Sequence, residues 1–398
     1  MQALRFEGSG FEYFKIWIVN LLLILITLGL YYPWAKVRNH RYFYANSTLE
    51  GRNFEYHATG KQLFVGYLIA MALFITYVII QNISPVGSMV VLLVFLLALP
   101  WIIWRSLKFN FRMTSFSNVR FSFEEGVGGA YVNYMLLPIA FFLALYVGPI
   151  VMAILLPTLG ESASSGMTGV FITVGIIISL VLAIYLFAFM KKNNTRYMVG
   201  GCRYGQGCFF TDVETKGFLI ILLKTIGFSL LSFFLFALLA GVVVSATVGL
   251  EGLVGIQQSI SDLDAMGDIF AGSAFLVIVG SVYLGFIVLT LIIIAYSYTR
   301  QRTYIYANST LDGNINFAST LKMSSMAWVM ISNFFAVILS LGLALAWAKV
   351  RMARLILENT QVNTDAGFEQ YITQKQQEQS SLGEQIGDAF DVDVGIGF

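Results

Sequence analysis

Residues equipped for catalysis are few and scattered in this chain. Its two histidines, His40 and His57, stand seventeen residues apart with no Cys, Asp or Glu at metal-ligand spacing. Cys202 and Cys208 lie close together on a basic connection and have no histidine near them. On a cytoplasmic connection such thiols stay reduced. No nucleophile elbow, Walker loop or H-E-x-x-H zinc motif occurs. Gly200, Gly201, Gly205 and Gly207 do not sit between a strand and the start of a helix in the order a phosphate cradle needs, and read as turn residues. The expectation is a chain with no catalytic residues, no metal site and no cofactor, and not an enzyme.

Binding chemistry has better candidates. Asn20, Asn333 and Lys224 fall inside long apolar stretches, where polar groups are costly and mark functional positions by default. The two asparagines are candidate substrate or ion ligands. The competing role is a hydrogen bond between helices, worth about 0.6–2 kcal/mol. Lys224 either reaches back to the headgroups along its own stem or faces a cavity. A second set, Lys36, Arg38, Arg41, Arg105, Lys349 and Arg351, lies directly beside apolar stretches. There a basic residue meets anionic lipid headgroups at about 1 kcal/mol each. That placement argues for the lipid bilayer as partner and against nucleic acid.

The elements that hold these residues are membrane helices. The chain is 58% hydrophobic and 12% charged, against about 25% charged in a typical soluble domain. Net charge is only +2, so charge placement carries the information. No small-residue cleavage site follows the first apolar run, so no cleaved signal peptide is expected. Apolar stretches run roughly over 14–33, 63–80, 87–104, 131–157, 168–190, 217–248, 271–297 and 325–347, near the about 20 residues a bilayer requires. Pro138, Pro149 and Pro157 predict a kinked or broken helix in the fourth. The connections near 81–86, 158–167 and 249–270 contain no Lys or Arg, whereas all the others are basic. Short basic loops stay on the cytoplasmic side.

Parity then becomes decisive. Eight crossings would put Lys349, Arg351 and Arg354 outside. Six crossings, with the first and last stretches entering and leaving by one face, leave Lys224 as the one exception among 24 basic residues. The fold class expected is therefore an all-α polytopic membrane protein with six transmembrane helices, two re-entrant or half-inserted segments and both termini cytoplasmic. Eight transmembrane helices are the alternative. Re-entrant backbone must be buried in protein, so the two segments should pack together or line a cavity. A homo-oligomer that swaps these contacts is compatible with the pattern.

The chain also repeats itself. Residues 33–56 align without a gap on 100–123, and YANSTLEG at 44–51 recurs as YANSTLDG at 306–313. Each unit changes from helical periodicity to alternation around a Glu-Gly or Asp-Gly turn. Small cytoplasmic β-hairpins are expected at about 44–57, 112–123, 200–212 and 304–318, paired into one sheet because a lone hairpin is marginal in water. Residues 17–38 align on 330–351, placing Asn20 on Asn333, Gly29 on Gly342 and Arg38 on Arg351. Beyond Arg351 a further degenerate hairpin begins, and the N-terminal LRFEGSG reads as the outgoing strand of one.

The run FEYFKIWIVNLLLILITLGLYYPWAKVRNHRYFYANSTLEGRNFEYHATGKQ resembles the YjgN-like family of bacterial inner-membrane proteins, most strongly over residues 6–62 and again at about 292–354. The resemblance implies a multi-pass protein of the bacterial inner membrane and supplies no substrate, reaction or site. Residues 1–368 read as one membrane domain and 369–398 as an acidic, Gln-rich tail. Repeats and interrupted helices frame midplane binding sites in transporters, which favours a transporter or channel for a small solute or ion. The alternative is a scaffold that binds lipid or a protein partner through the hairpin sheet.

Overall fold

The structure is a computed structural model that describes residues 1–158, 165–259, 273–363 and 368–378. It is mostly helical. The helices are α1 (Gly10–Ile26), α2 (Tyr32–Ala45), α3 (Gly60–Ile83), α4 (Pro85–Arg112), α5 (Val127–Tyr131), α6 (Leu137–Thr158), α7 (Ser165–Gly200), α8 (Thr215–Ser259), α9 (Ser273–Ala307), α10 (Met323–Leu339), α11 (Leu345–Glu358) and α12 (residues 368–378). Among the described residues six helices are long and apolar enough to cross a membrane, from Gly60–Ile83 to Val279–Ala307. Their apolar windows are at most 17% buried within the chain, as expected of surfaces that meet lipid rather than water. The 17 residues of α1 and of α10 span about 26 Å each, short of a full crossing.

Each short helix turns back through the same bend. In the first, Thr27 Oγ1 donates to Leu23 O at 2.7 Å and accepts from Tyr31 N–H at 3.0 Å. Leu28 and Gly29 take left-handed φ of 49° and 92°, and Gly29 N–H donates to Ile24 O at 2.7 Å. In the second, Ser340 Oγ accepts from Ala344 N–H at 2.8 Å, Leu341 and Gly342 have φ of 50° and 91°, and Gly342 N–H reaches Val337 O at 2.8 Å. Glycine supplies this conformation without a Cβ penalty. The leucine at each tip is almost fully exposed, 92% for Leu28 and 94% for Leu341, which suits a tip inside hydrocarbon far better than one in water.

Pro138 does not break its helix. Residues Val132–Leu136 form a π-turn in which Leu137 N–H donates to Val132 O, and the helix continues as α6. The wider turn absorbs the missing proline donor. The connection at 81–86 shrinks to Ser84, whose hydroxyl caps α4 through Gly87 N–H at 3.1 Å. Residues 159–164 and 260–272, which carry most of the other two Lys/Arg-free connections, lie outside the described residues.

Short antiparallel hairpins join the helices: β3 (Ser47–Leu49) with β4 (Arg52–Tyr56), β5 (Thr114–Phe116) with β6 (Val119–Phe123), β7 (Cys202–Tyr204) with β8 (Gly207–Thr211), and β9 (Ser309–Leu311) with β10 (Ile315–Ser319). Three turn through two left-handed residues, Glu50-Gly51, Ser117-Asn118 and Asp312-Gly313, the geometry that suits two-residue hairpins. Successive hairpins pair with one another, and β11 (Thr360–Val362) follows β10. The ends of the strand order are β1 (Gln2–Ala3) and β2 (Arg5–Phe6), consecutive pieces of one segment joined at Leu4. The sheet therefore closes on itself through residues 2–6, and Leu4 N–H donates to Thr360 O at 2.9 Å.

One side chain after another points inward by the two-residue period of strands: Leu49, Phe116, Val119, Tyr204, Leu311, Ile315 and Val362 form the core, with Phe368 and Ile372 of α12 added at one mouth. About eight strands is the size at which side chains just fill a closed sheet. Here a mostly apolar space of about 210 Å³ remains between them.

The helices follow the same closed order. Each packs chiefly on its neighbours along the chain, and α11 packs on α1. That last contact copies the one between α2 and α3, which the β3–β4 hairpin joins. A Cβ on Gly60, the first residue of α3, would lie 2.2 Å from Cδ1 of Trp34, and one on Gly10, the first residue of α1, would lie 2.3 Å from Cδ1 of Trp347. Arg41 donates to Ala58 O at 2.8 Å, and Arg354 to Gly8 O at 2.9 Å. Helix α11 thus holds α1 by the contacts with which α2 holds α3, with no peptide bond between them.

Candidate functional site

The polar residues of the short helices come together where α1, α2 and α11 meet. Ser9 caps α1 by accepting from Glu12 N–H at 3.1 Å. From Gly10 the helix brings Asn20 ten residues along, about 15 Å, on its inner face. Asn20 is 2% exposed. Its Nδ2 donates to Asn39 Oδ1 at 3.3 Å and its Oδ1 accepts from Arg38 Nη1 at 3.4 Å. Arg38 also donates to Tyr31 Oη at 3.2 Å, which ties the bend to the asparagine.

Asn333 repeats the arrangement in α10 and α11. It is 9% exposed. Its Nδ2 donates to Ala348 O at 3.1 Å and its Oδ1 accepts from Arg351 Nη1 at 3.1 Å. Each asparagine is therefore held by the arginine eighteen residues later, across the bend. Both carboxamides satisfy the rule that buried polar groups are hydrogen-bonded.

A cleft of about 350 Å³ opens beside Asn20, walled by Trp17, Asn20, Leu21 and Ile24 of α1, by Tyr32, Ala35, Lys36, Asn39 and His40 of α2, and by Lys349 of α11. Asn333 is not part of its wall. Among the described residues the cleft gathers two ammonium groups, two carboxamides and an imidazole, and no carboxylate. Lys36 and Lys349 are both exposed. Burial, and then the charge of Lys36, push His40 below its ordinary value, so at neutral pH the ring is uncharged and can accept or donate one hydrogen bond. His40 lies 4.9 Å from the Tyr56 ring of β4, which places this end of the cleft against the sheet.

The remaining candidates stand apart. Lys224 is exposed on α8, two and a half turns from its start. Arg105 lies exposed on α4 with its guanidinium 5.4 Å from the Trp101 ring. Arg41 is committed to Ala58 O. His57 is paired with Ser115 Oγ at 2.7 Å and Glu55 at 3.5 Å. Burial raises the Cys202 thiol to about 12, so it is an unreactive core group.

Residues 1–389 match the family described as "Bacterial protein of unknown function (DUF898)". The chain belongs to this family. It is 27% identical over 370 residues to the inner membrane protein YjgN of Salmonella typhimurium, covering 91% of this chain and 89% of that one. It is 38% identical over 137 residues to the inner membrane protein YjgN of Escherichia coli strain K12, 34% of each chain. No solved structure matches it. The family description assigns no activity, so any function must be argued from the residues themselves.

Two site residues escaped the sequence reading: Asn39 and His40 as cleft residues. Asn39 carried a readable signal, since it lies on α2 one residue after the Arg38 already matched to Arg351. Its contact with Asn20 requires knowing that the chain doubles back at Gly29.

Proposed function

We propose that the chain is a multi-pass protein of the bacterial inner membrane that moves a small anionic solute. In this reading six helices cross the bilayer. The pairs α1/α2 and α10/α11 are internal repeats that enter half-way, and the sheet and both termini lie in the cytoplasm. The protein is not an enzyme. The name of its relatives supports the membrane assignment, and the Lys/Arg-free connections support the orientation.

One observation carries the solute reading: a cleft walled by Lys36, Lys349, Asn20, Asn39 and His40 with no acidic residue among the described residues, placed beside helices too short to span. Interrupted helices that end in unwound backbone are a usual frame of a binding site within the membrane. Two ammonium groups with carboxamide donors and no carboxylate favour an anion. The path does not run through the sheet, whose interior is lined almost wholly by apolar side chains. A solute leaves beside it, past His40.

Uptake into proteoliposomes tests this, with chloride, phosphate and acetate as probes. The expected result is saturable uptake of at least one anion, reduced about tenfold or more by Lys36→Gln and further by Lys36→Gln with Lys349→Gln. Uptake by the folded protein no faster than by empty vesicles for all three probes overturns the proposal.

A further inference from the structure

The closed sheet holds a second site of opposite chemistry. Its interior space of about 210 Å³ is walled by rings and alkyl groups, among them Phe54, Phe121, Phe209, Leu311 and Phe317. Four residues of its wall carry hydroxyls, Tyr204, Tyr306, Thr360 and Tyr371, and three of these hydroxyls are already committed. Tyr204 Oη donates to Phe116 O at 3.1 Å, and Tyr371 Oη donates to an Asp312 oxygen at 2.8 Å. Thr360 Oγ1 donates to Ile356 O at 2.7 Å and accepts from Arg302 at 2.6 Å. Among the described residues a ligand there finds no charged side chain in the wall and three of its four hydroxyls already bonded, so the wall selects chiefly for apolar surface.

Size narrows the choice. An engineered cavity of about 150 Å³ stays dry and takes up benzene. The larger space here matches an alkyl chain of about six to ten carbons on the same scale. The opening arises from strand number, because ten strand positions enclose more than their own inward side chains fill. It is therefore built into the fold and is not a local packing fault.

We infer that the interior of the closed sheet binds one alkyl chain, with helix α12 as the wall at the turn end. Phe368 and Tyr371 of α12 line the space, so occupancy and docking of α12 stabilise each other. The chain has two conceivable sources, a free alkyl molecule or an acyl chain of a lipid, and the chemistry recognised is the same.

The test uses the full chain in nanodiscs of defined phosphatidylcholine, with the fluorescent probe N-phenyl-1-naphthylamine. The expected result is saturable fluorescence above that of empty discs, with Leu311→Trp weakening the probe at least tenfold by filling the space. Val362→Phe is the second filling variant, read in the same way if Leu311→Trp loses its cooperative melt. Displacement by nonan-1-ol identifies a free alkyl molecule. Displacement by short-chain phosphatidylcholine and not by the alcohol identifies a lipid chain, and either supports the site. No saturable signal above empty discs, or equal binding by a folded filling variant, overturns it.

Discussion

Replacing Asp312 by asparagine should release α12 from the sheet while leaving the sheet closed. The Asp312 carboxylate sits in the β9–β10 turn and gathers three donors: Cys208 N–H at 2.7 Å, Tyr371 Oη at 2.8 Å and Lys375 Nζ at 3.3 Å. Lys375 has a side chain only 9% exposed and, among the described residues, one other acid in reach, Glu378 at 3.2 Å. Asparagine keeps an acceptor for Cys208 but removes the charge facing Tyr371 and Lys375. Hydrogen bonds to charged groups contribute about 1.5–3 kcal/mol each, and a half-abandoned buried ammonium adds to the loss. The expected cost is about 3 kcal/mol, a shift of about 100-fold in the docking equilibrium of α12. Amide hydrogen exchange reads this directly, because local opening sets the protection of residues 368–378. Glu369→Gln is the control. Its pair with Arg52 at 3.3 Å is exposed, and such pairs contribute little. Unchanged protection in Asp312→Asn, or equal loss in the control, would refute the reasoning.

Acid should act like that substitution. Burial raises the Asp312 value, but Cys208 N–H, Tyr371 and Lys375 outweigh it and hold the carboxyl below its ordinary range. A depressed acid stabilises the folded form above its unfolded value and stops doing so as pH falls through the lower, folded one. Docking of α12 should therefore persist through mildly acid pH and fail only below the ordinary carboxylate range, which tail exchange against pH would show. Asn333→Leu removes the bonds to Arg351 and Ala348 at similar volume and should cost about 1–3 kcal/mol. A melting curve unchanged within error would mean those bonds are idle. Gly10→Ala places a methyl against Trp347. It should cost about 1–3 kcal/mol by overpacking, seen as a lower melting temperature, whereas Gly126→Ala meets open space and serves as its reference.

Much of the helical frame was legible because apolar run length is a direct physical requirement of the bilayer. The Glu50-Gly51 and Asp312-Gly313 turns were legible because few residue pairs tolerate two left-handed positions. Closure was not, although both halves were visible as LRFEGSG and the degenerate strand after Arg351. Strands of two residues show no period, and only the contact of α11 with α1 unites them. Helix α12 hid in a polar, Gln-rich tail. Its buried face is Phe368, Tyr371, Ile372 and Lys375, at helical spacing. The repeat paired Asn20 with Asn333 and Arg38 with Arg351 in one alignment, yet the bond between asparagine and arginine follows only from the bend. The cleft was less legible still, since Lys349 joins Asn20 in its wall from the far end of the chain.

The central claim is that this cleft is open to water and selects anions. It is tested most directly with Asn39→Cys in a chain whose Cys202 and Cys208 are replaced by serine. Charged methanethiosulfonate reagents are applied from the sheet side, and the rates of modification are compared. The account predicts that the anionic sulfonatoethyl reagent reacts about tenfold or more faster than the cationic trimethylammonium reagent, and that Lys36→Gln with Lys349→Gln erases the difference. No modification by either reagent, or faster reaction with the cation, would contradict it.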